Sequence, residues 1–215
     1  MIDTIIFDLD GTLLNTLDDL WASVNYSLAQ YGFPLREKSE IRSFLGNGVK
    51  VLIEKSVPAA TPIDLTNRVL STFRSYYVEH SMDKTRPYDG ILEVLDTLRS
   101  KGFKTAIVSN KPDAAVQELY TVMFHGKVDI ALGERSEYRR KPSPDMIIAA
   151  LEKLGSDLSS SIYVGDSEVD MATAHNCQMR CVSVSWGFRD RSFLEMKKAG
   201  TIIDRPSELL TLLLS

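Results

Sequence analysis

The chain has 215 residues, of which 44% are hydrophobic and 25% are charged, and its formal net charge at pH 7 is -4. These values are typical of a globular protein and exclude a largely disordered chain. Basic residues are scattered, and their one tight run is residues 139–141, so the composition indicates no nucleic-acid partner.

The first predicted strand ends in two acidic residues. An apolar run stops at Asp8 in the sequence IIFDLDGT, and Asp10, Gly11 and Thr12 follow it. Because alternate residues of an extended chain point the same way, Asp8 and Asp10 can face one site. Gly11 permits a tight turn, whose main-chain N–H groups could face an anionic oxygen.

The next stretch shows helical patterns and no convincing strand. Residues 41–57 indicate two short helices around a Gly-Asn-Gly turn. We therefore expect a small helical cap domain over 16–82, inserted into a core domain made of 1–15 and 83–215. Apolar stripes at helical spacing flank the two short helices, and they consist of Leu17, Leu20, Trp21, Val24, Leu28 and Tyr31, and of Leu65, Val69, Phe73 and Tyr76.

After the cap, strand-like and helix-like segments alternate. Helices are predicted over residues 91–102, over 113–123 and from an N-cap at Ser143 to a stop at Gly155. Apolar strands that alternate with helices predict an α/β protein with a Rossmann-like, doubly wound parallel sheet. The strand-like segments are KTAIVSN, VDIALG, SSIYVGD, RCVSVSWG and TIIDRP.

Polar residues end several of these strands. Ser109 and Asn110 follow one strand, and Asp166 follows another, with Asp170 one helical turn later. Ligands of open parallel sheets bind at the carboxyl ends of the strands, so these residues should meet the acids of the first strand. Several carboxylates at one edge would repel each other without a cation, and hard oxygen ligands suit Mg²⁺.

The two acids of the first strand can divide the work of a group transfer. One aspartate can attack phosphorus and form an aspartyl-phosphate, while the other acts as general acid and then as base. A basic group should balance these charges. We favour Lys141 over Arg139 and Arg140, because Lys141 lies just ahead of a predicted helix start.

Four segments together resemble the motifs of the haloacid dehalogenase superfamily, in the expected order. They are DLDGT, the strand that ends in SN, the lysine of KPSPD, and GDSEVD. The helical insertion directly after the first motif is similar to the small helical cap found in part of that superfamily.

The resemblance implies a role for each motif residue. Asp8 would be the nucleophile and Asp10 the general acid and base. Mg²⁺ would be held by Asp8, by Asp166 and by the main-chain carbonyl of Asp10. Ser109 and the backbone of Asn110 would bind the phosphoryl oxygens, with Gly11 and Thr12 as further substrate-binding residues. Lys141 would compensate charge, and Asp170 would anchor metal-bound water or Lys141.

Within the superfamily, the cap segment FLGNGVKVLIEKSV looks like the corresponding segment of phosphoglycolate phosphatases. The resemblance implies that Asn47 and Gly48 lie over the site, where a substrate carboxylate could meet a helix N-terminus. Arg42 or Lys50 would then clamp that carboxylate.

The sequence departs from the family pattern at two places. Asn15 stands where the family often has Asp at the cap hinge, and Cys177 with Gln178 ends a helix where Gly would be usual. We expect the first to affect hinge hydrogen bonds and the second to have a local effect.

These observations predict a Mg²⁺-dependent phosphatase that acts on a small phosphate monoester, with phosphoglycolate as the first substrate. Alternatives are a pyrophosphatase or a β-phosphoglucomutase of the same superfamily, and a catalytically silent phosphate-binding module. We expect a cytoplasmic monomer or homodimer without a membrane partner. No apolar stretch is long enough for a span, the first apolar run is too short for a signal peptide, and Cys177 and Cys181 suit reduced thiols.

Overall fold

The computed structural model describes residues 2–214, and the chain divides into two compact units. One unit comprises Met1–Leu14 with Pro87–Ser215, and the other is Asn15–Arg86. The second unit begins one residue earlier and ends four residues later than the range 16–82 expected for the cap. No helix within residues 2–214 is long and apolar enough to cross a membrane.

The β-strands are short, and most of them belong to one sheet. In chain order they are β1 (Thr4–Phe7), β2 (Leu14–Asn15), β3 (Arg86–Pro87), β4 (Lys104–Pro112), β5 (Ile130–Glu134), β6 (Ser161–Gly165), β7 (Arg180–Val184) and β8 (Thr201–Ile203).

Six of these strands form a parallel sheet in the order β5-β4-β1-β6-β7-β8, while β2 and β3 pair with each other. All four residues of β1 are buried, as expected for a central strand covered on both faces. Phe7 at the end of β1 is in register with Ile107 of β4 and Val164 of β6. The residues that follow Phe7, Ile107 and Val164 therefore emerge along one edge of the sheet.

The unit Asn15–Arg86 contains helices only, apart from its terminal strand residues. Leu20, Val24 and Leu28 of the predicted stripe are buried, as are Val69 and Phe73 of the second stripe. The helices are α1 (Leu17–Gln30), α2 (Lys38–Phe44), α3 (Gly48–Ser56) and α4 (Ile63–His80).

The other unit carries the helices that cover the parallel sheet. Packing of α7 against the sheet buries Met146 and Ile147 in a core with Ile6, Val108 and Tyr163. The doubly wound α/β fold expected from the sequence is confirmed. These helices are α5 (Ile91–Ser100), α6 (Asp113–Leu119) with a π-helical turn at Tyr120–Phe124, α7 (Asp145–Leu154), α8 (Glu168–Asn176), α9 (Arg191–Met196) and α10 (Ser207–Leu214).

The predicted N-cap of α7 is wrong by one residue. Pro144 occupies the cap position, and its carbonyl accepts the first helical bond from Ile148 N at 3.0 Å. The Ser143 hydroxyl instead donates to Asp145 Oδ1 at 2.7 Å. The predicted stop at Gly155 is confirmed, and this residue has a left-handed φ of 59°.

Helix α8 ends in a left-handed turn without a glycine. Gln178 has φ 55°, its N–H donates to His175 O, and Met179 N donates to Ala174 O, both at 2.9 Å. This is the bonding pattern of a Schellman motif, whose left-handed position usually holds glycine. Because Gln178 stands where the family usually has glycine, its side chain is held in a strained backbone conformation.

Replacing Gln178 by glycine should relieve this strain. Gln178→Gly is expected to raise the free energy of unfolding by about 0.5–1 kcal/mol, because the lost strain exceeds the added entropy of the unfolded chain. Gln178→Ala keeps the Cβ atom and serves as the matched control. Urea unfolding measures both, and a glycine variant no more stable than the alanine variant would contradict the assignment of strain.

Candidate active site

Three aspartates meet at the carboxyl edge of the parallel sheet. Asp8 follows β1, Asp166 follows β6, and Asp170 lies in the first turn of α8. One carboxylate oxygen from each lies within 4.8 Å of those of the other two, and all three residues are buried. Such a cluster requires positive charge nearby, because each ionised carboxylate is costly to bury alone.

The ammonium group of Lys141 lies inside this cluster. It donates to Asp8 Oδ1 at 2.7 Å, to Asp170 Oδ1 at 2.8 Å and to Tyr163 Oη at 2.9 Å. An ammonium has three N–H donors, so every donor of Lys141 has an acceptor. The Tyr163 hydroxyl in turn donates to Asp170 Oδ1 at 3.0 Å. Lys141 therefore holds Asp8 and Asp170 together.

The sequence preference for Lys141 over its neighbours agrees with this geometry. The Arg139 side chain is 79% exposed and pairs with Asp145 at 2.9 Å. By contrast, the Lys141 side chain is 3% exposed.

Asn110 fixes the backbone of Lys141. Its side-chain amide donates to Lys141 O at 3.0 Å, and its Oδ1 accepts from Lys141 N at 2.7 Å. Asn110, near the end of β4, thus connects this strand to the loop that holds Lys141. Its side chain is a support for Lys141, whereas the family resemblance assigns phosphoryl binding to its backbone.

Asp170 is held from its other side by the start of its own helix. Ser167 caps α8, and its backbone N and its Oγ donate to Asp170 Oδ2 at 3.1 and 2.7 Å. This reciprocal capping box satisfies donors at the helix start and fixes the carboxylate in place. Asp170 Oδ1 remains directed at Lys141 and Tyr163.

The loop after β1 bonds largely to itself. Gly11 N donates to Leu14 O at 2.8 Å, and Thr12 N donates to Leu9 O at 3.3 Å. The N–H groups of Gly11 and Thr12 are therefore both used within the loop. The Thr12 hydroxyl is buried and has no hydrogen-bond partner within the described residues.

Close packing holds Asp166 against this loop. Phe188 N donates to Asp166 Oδ2 at 2.6 Å. Gly11 has φ 93°, and a Cβ atom built there would lie 2.4 Å from Asp166 Oδ2. A Cβ at Gly187 would lie 2.3 Å from Gly11 O. Glycine at both positions thus allows the backbone to approach the carboxylate.

Asp10 forms an ion pair with a second lysine, Lys111. Lys111 Nζ lies 3.0 Å from Asp10 Oδ1, and the Lys111 side chain is 4% exposed. Ser109 stands on the same strand end, where its Oγ accepts from Lys111 N at 3.1 Å. Lys111 thus bonds to the buried Ser109 hydroxyl through its backbone N–H and to Asp10 through its side chain.

Burial and charge shift the pKa values of the cluster in opposite directions. Burial raises the pKa of Asp8 to about 7 against the opposing pull of Lys141. Burial, and then the charges of Asp170 and Asp8, raise the pKa of Asp166 well above its usual value. Burial also opposes ionisation of Asp170, but Lys141 with the bonds from Ser167 and Tyr163 outweighs it and lowers that pKa.

The donor set fits a divalent metal ion. Asp8, Asp10, Asp166 and Asp170 carry four negative charges when ionised, and Lys111 and Lys141 offset two of them. The two that remain equal the charge of one Mg²⁺, and carboxylate oxygens are the ligands that Mg²⁺ prefers. Burial is the largest cause of the raised pKa values of Asp8 and Asp166, and a cation bound beside these carboxylates would favour their ionised forms.

The cap residues proposed from the sequence lie in the unit Asn15–Arg86. Arg42 is in the last turn of α2, Asn47 is the N-cap residue of α3, and Gly48 is its first residue, with φ 77°. Lys50 has a side chain 59% exposed, and its Nζ lies 3.8 Å from Glu54. A pair this open contributes little to stability.

Side-chain oxygens of Asn15 and Asp19 accept backbone hydrogen bonds near the start of α1. Asn15 Oδ1 accepts from Leu17 N at 3.3 Å. Asp19, which is buried, accepts from the backbone N–H groups of Lys84 and Thr85. Asp19 therefore ties α1 to the other end of its own unit.

Tyr163, Ser167 and Lys111 contribute to the site but do not follow from the motif pattern. A signal for Tyr163 was a single hydroxyl-bearing residue in the otherwise aliphatic core of SSIYVGD. The signal for Lys111 was its position directly after Asn110, at the end of a buried strand. Ser167 matched an N-cap signal, with Asp170 three residues later.

Comparison with known proteins connects this geometry to a family. The model of the haloacid dehalogenase-like hydrolase family matches residues 5–184. A phosphoglycolate phosphatase of Haemophilus influenzae (strain 86-028NP) is 32% identical over 215 residues, which cover 96% of each chain. One from Aquifex aeolicus is 29% identical over 210 residues, which cover 97% of this chain and 95% of the other. A crystal structure from Lactobacillus delbrueckii subsp. bulgaricus has TM-score 0.92 at 39% identity and covers 96% of both chains.

The fold and the acidic, lysine-bridged sheet edge define a phosphoric monoester hydrolase. The chain belongs to the haloacid dehalogenase-like hydrolase family. Within that family it resembles the phosphoglycolate phosphatases.

Magnesium should stabilise the protein more at high pH than at low pH. In the metal-free protein, folding raises the pKa of Asp8 from 3.8 to about 7, so the folded state binds more protons and loses stability as the pH rises through this window. A cation that replaces these protons gains up to about 1.4 kcal/mol per proton displaced for each pH unit. Thermal unfolding with and without Mg²⁺, about one pH unit below and above 7, measures the difference.

Two variants control this measurement. Asp166→Asn should lose most of the shift, whereas Asp96→Asn, at an exposed ion pair with Lys127, should keep it. A magnesium shift that does not depend on pH, or that survives in Asp166→Asn, would show that the cation binds elsewhere.

Proposed function

We propose that the protein is a Mg²⁺-dependent phosphatase that works through an aspartyl-phosphate on Asp8. The observation that carries this proposal is the Asp8 carboxylate, which Lys141 holds at Oδ1 beside Asp166 and Asp170. A fixed carboxylate whose charge is balanced on one side is suited to attack an electrophile brought to the sheet edge. The family match and the phosphatase relatives support the same reaction class.

The chemistry consists of two transfers between oxygen atoms. In the first, an Asp8 oxygen bonds to phosphorus while the ester P–O bond breaks, and Asp10 gives its proton to the leaving oxygen. In the second, Asp10 takes a proton from water, whose oxygen bonds to phosphorus and releases Asp8 and inorganic phosphate. Positioning and charge compensation provide most of the acceleration in such reactions.

Asp8, Asp166, Asp170 and the main-chain carbonyl of Asp10 would hold the metal ion. When bound, it supplies positive charge that lets a phosphate dianion approach the carboxylates. Lys141 keeps Asp8 in position and contributes a second positive charge. Ser109, at the end of β4, is suited to hydrogen-bond the transferring phosphoryl group.

Removing the nucleophile tests the mechanism. Asp8→Asn should lower kcat by at least about 1,000-fold with the fold retained, because the amide oxygen can still accept from Lys141 but is a poor nucleophile. Release of inorganic phosphate and far-UV circular dichroism measure the two effects. The exposed Asp89→Asn is the control and should keep normal activity.

The outcome separates the mechanism from its rivals. Normal activity in Asp8→Asn would remove Asp8 as nucleophile, and wild-type activity that persists in EDTA would remove the metal from the reaction. A wild-type protein that binds phosphate esters but turns none over would be a silent binding module.

We infer that phosphoglycolate is the substrate and that the unit Asn15–Arg86 acts as a cap that selects it. Relatives that share about 30% identity over nearly the whole chain carry the name phosphoglycolate phosphatase. The core residues can recognise only the phosphoryl group, so the rest of the substrate needs another set of contacts. Arg42 and Lys50, with Asn47 and Gly48 at the start of α3, are suited to a carboxylate.

Charge removal in α2 and α3 tests the substrate. Arg42→Gln or Lys50→Met should lower kcat/KM for phosphoglycolate about 10–100-fold, the usual cost of a charge-assisted hydrogen bond, and leave methyl phosphate nearly unaffected. Lys55→Met on the same helix, where Lys55 lies over the Phe44 ring, is the matched control.

A substrate screen completes this test. Preference for pyrophosphate over phosphoglycolate, or turnover of a sugar phosphate that requires a sugar bisphosphate, would replace the proposed substrate by one of the alternatives. Equal losses on both esters in the two variants would place Arg42 and Lys50 outside carboxylate recognition.

We propose a cytoplasmic location for the protein. The support is that Cys177 and Cys181 are both free thiols, as is usual in a reducing compartment. The proposed partner is the small phosphate ester itself, and the assembly is proposed to be a monomer or a homodimer.

A further inference from the structure

Lys111 is a second buried cation at the sheet edge, and charge compensation is the one role given to it above. Its Nζ lies 3.0 Å from Asp10 Oδ1, with side-chain exposures of 4% for Lys111 and 19% for Asp10. Burying an ammonium group is costly, and replacing a buried ion pair by apolar groups is often neutral or stabilising. Stability alone is therefore a weak explanation for this pair.

The local backbone places Lys111 at this point. The pairing of β4 with β5 shifts register between Val108 and Pro112, so the end of β4 departs from regular strand geometry. Within this irregular stretch, the N–H of Lys111 donates to Ser109 Oγ. The side chain is thereby directed toward the loop that follows β1.

Each of the two acids in the DLDGT segment is paired with a different lysine. Lys141 bonds to Asp8 Oδ1, and Lys111 bonds to Asp10 Oδ1. All three donors of Lys141 are used by Asp8, Asp170 and Tyr163, so Lys141 cannot also hold Asp10. The rotamer of Asp10 therefore depends on a different cation.

We propose that Lys111 is a positioning residue for proton transfer by Asp10, an inference that rests on the proposed function. Lys111 anchors Oδ1, and Oδ2 is the oxygen that carries the transferred proton. In the first step the proton moves from Oδ2 to the leaving oxygen as the P–O bond breaks. In the second step Oδ2 takes it back from the attacking water, and Lys111 keeps its own protons throughout.

The need for this proton depends on the leaving group. An alkoxide leaves poorly without protonation, so hydrolysis of an alkyl phosphate requires the general acid. The carboxylate released from acetyl phosphate is a weak base and leaves without a proton. Loss of Asp10 positioning should thus affect alkyl phosphates far more than acetyl phosphate, whereas loss of general stability affects both equally.

The experiment compares Lys111→Met with the wild type on phosphoglycolate and on acetyl phosphate. General acid catalysis contributes at least about 100-fold, so kcat for phosphoglycolate should fall by about that factor with KM changed little. The first turnover of acetyl phosphate, measured as phosphorylation of Asp8 by rapid quench, should fall less than about threefold. Asp10→Asn should show the same selectivity, since it removes the acid itself.

Two further variants keep the test decisive. Lys104→Met, on the same strand, removes a lysine whose Nζ donates to Gly155 O, and should leave both substrates unaffected. Lys111→Arg retains the charge and a donor and should recover a large part of the loss on phosphoglycolate. It also provides a readout if Lys111→Met does not fold.

The results distinguish this inference from the proposed function. Equal losses on the two substrates in Lys111→Met, or no recovery of selectivity in a folded Lys111→Arg, would overturn the positioning role. A wild type that hydrolyses neither ester would instead overturn the proposed phosphatase, whatever the variants do.

Discussion

The buried ammonium group of Lys141 is the interaction on which the rest of the site depends. It bonds to Asp8 after β1, to Tyr163 within β6 and to Asp170 in α8, so one cation ties together three separate elements. Removing one partner of a buried ion pair commonly costs about 3–5 kcal/mol, because the remaining charge is left uncompensated. Asn110 extends the same constraint to the end of β4 by holding the Lys141 backbone.

The fold follows from the sequence because hydrophobic periodicity determines it. Runs such as TIIFD and SSIYVGD are apolar without alternation, which only a sheet covered on both faces accommodates. Helix ends were less predictable, since they depend on single local bonds. Ser143 has an N-cap side chain but bonds to Asp145, and Gln178 occupies a left-handed position that sequence rules reserve for glycine.

Some residues of the site could likewise be predicted from the sequence, and others could not. Acids at strand ends could be identified because parallel topology brings strand ends to one edge, whatever the side-chain details. Tyr163 and Lys111 could not, because their roles depend on side-chain direction and, for Lys111, on an irregular strand end. The internal bonds of the Gly11 and Thr12 amides also arise from the exact path of the loop, which residue types do not encode individually.

Asp170 belongs to two systems at once. One of its oxygens completes the capping box of α8, and the other receives Lys141 and Tyr163 at the reaction centre. A substitution of Asp170 would therefore disturb both the start of α8 and the position of Lys141. Because this carboxylate also stabilises the start of α8, its presence in a sequence is weaker evidence of activity than the presence of Asp10.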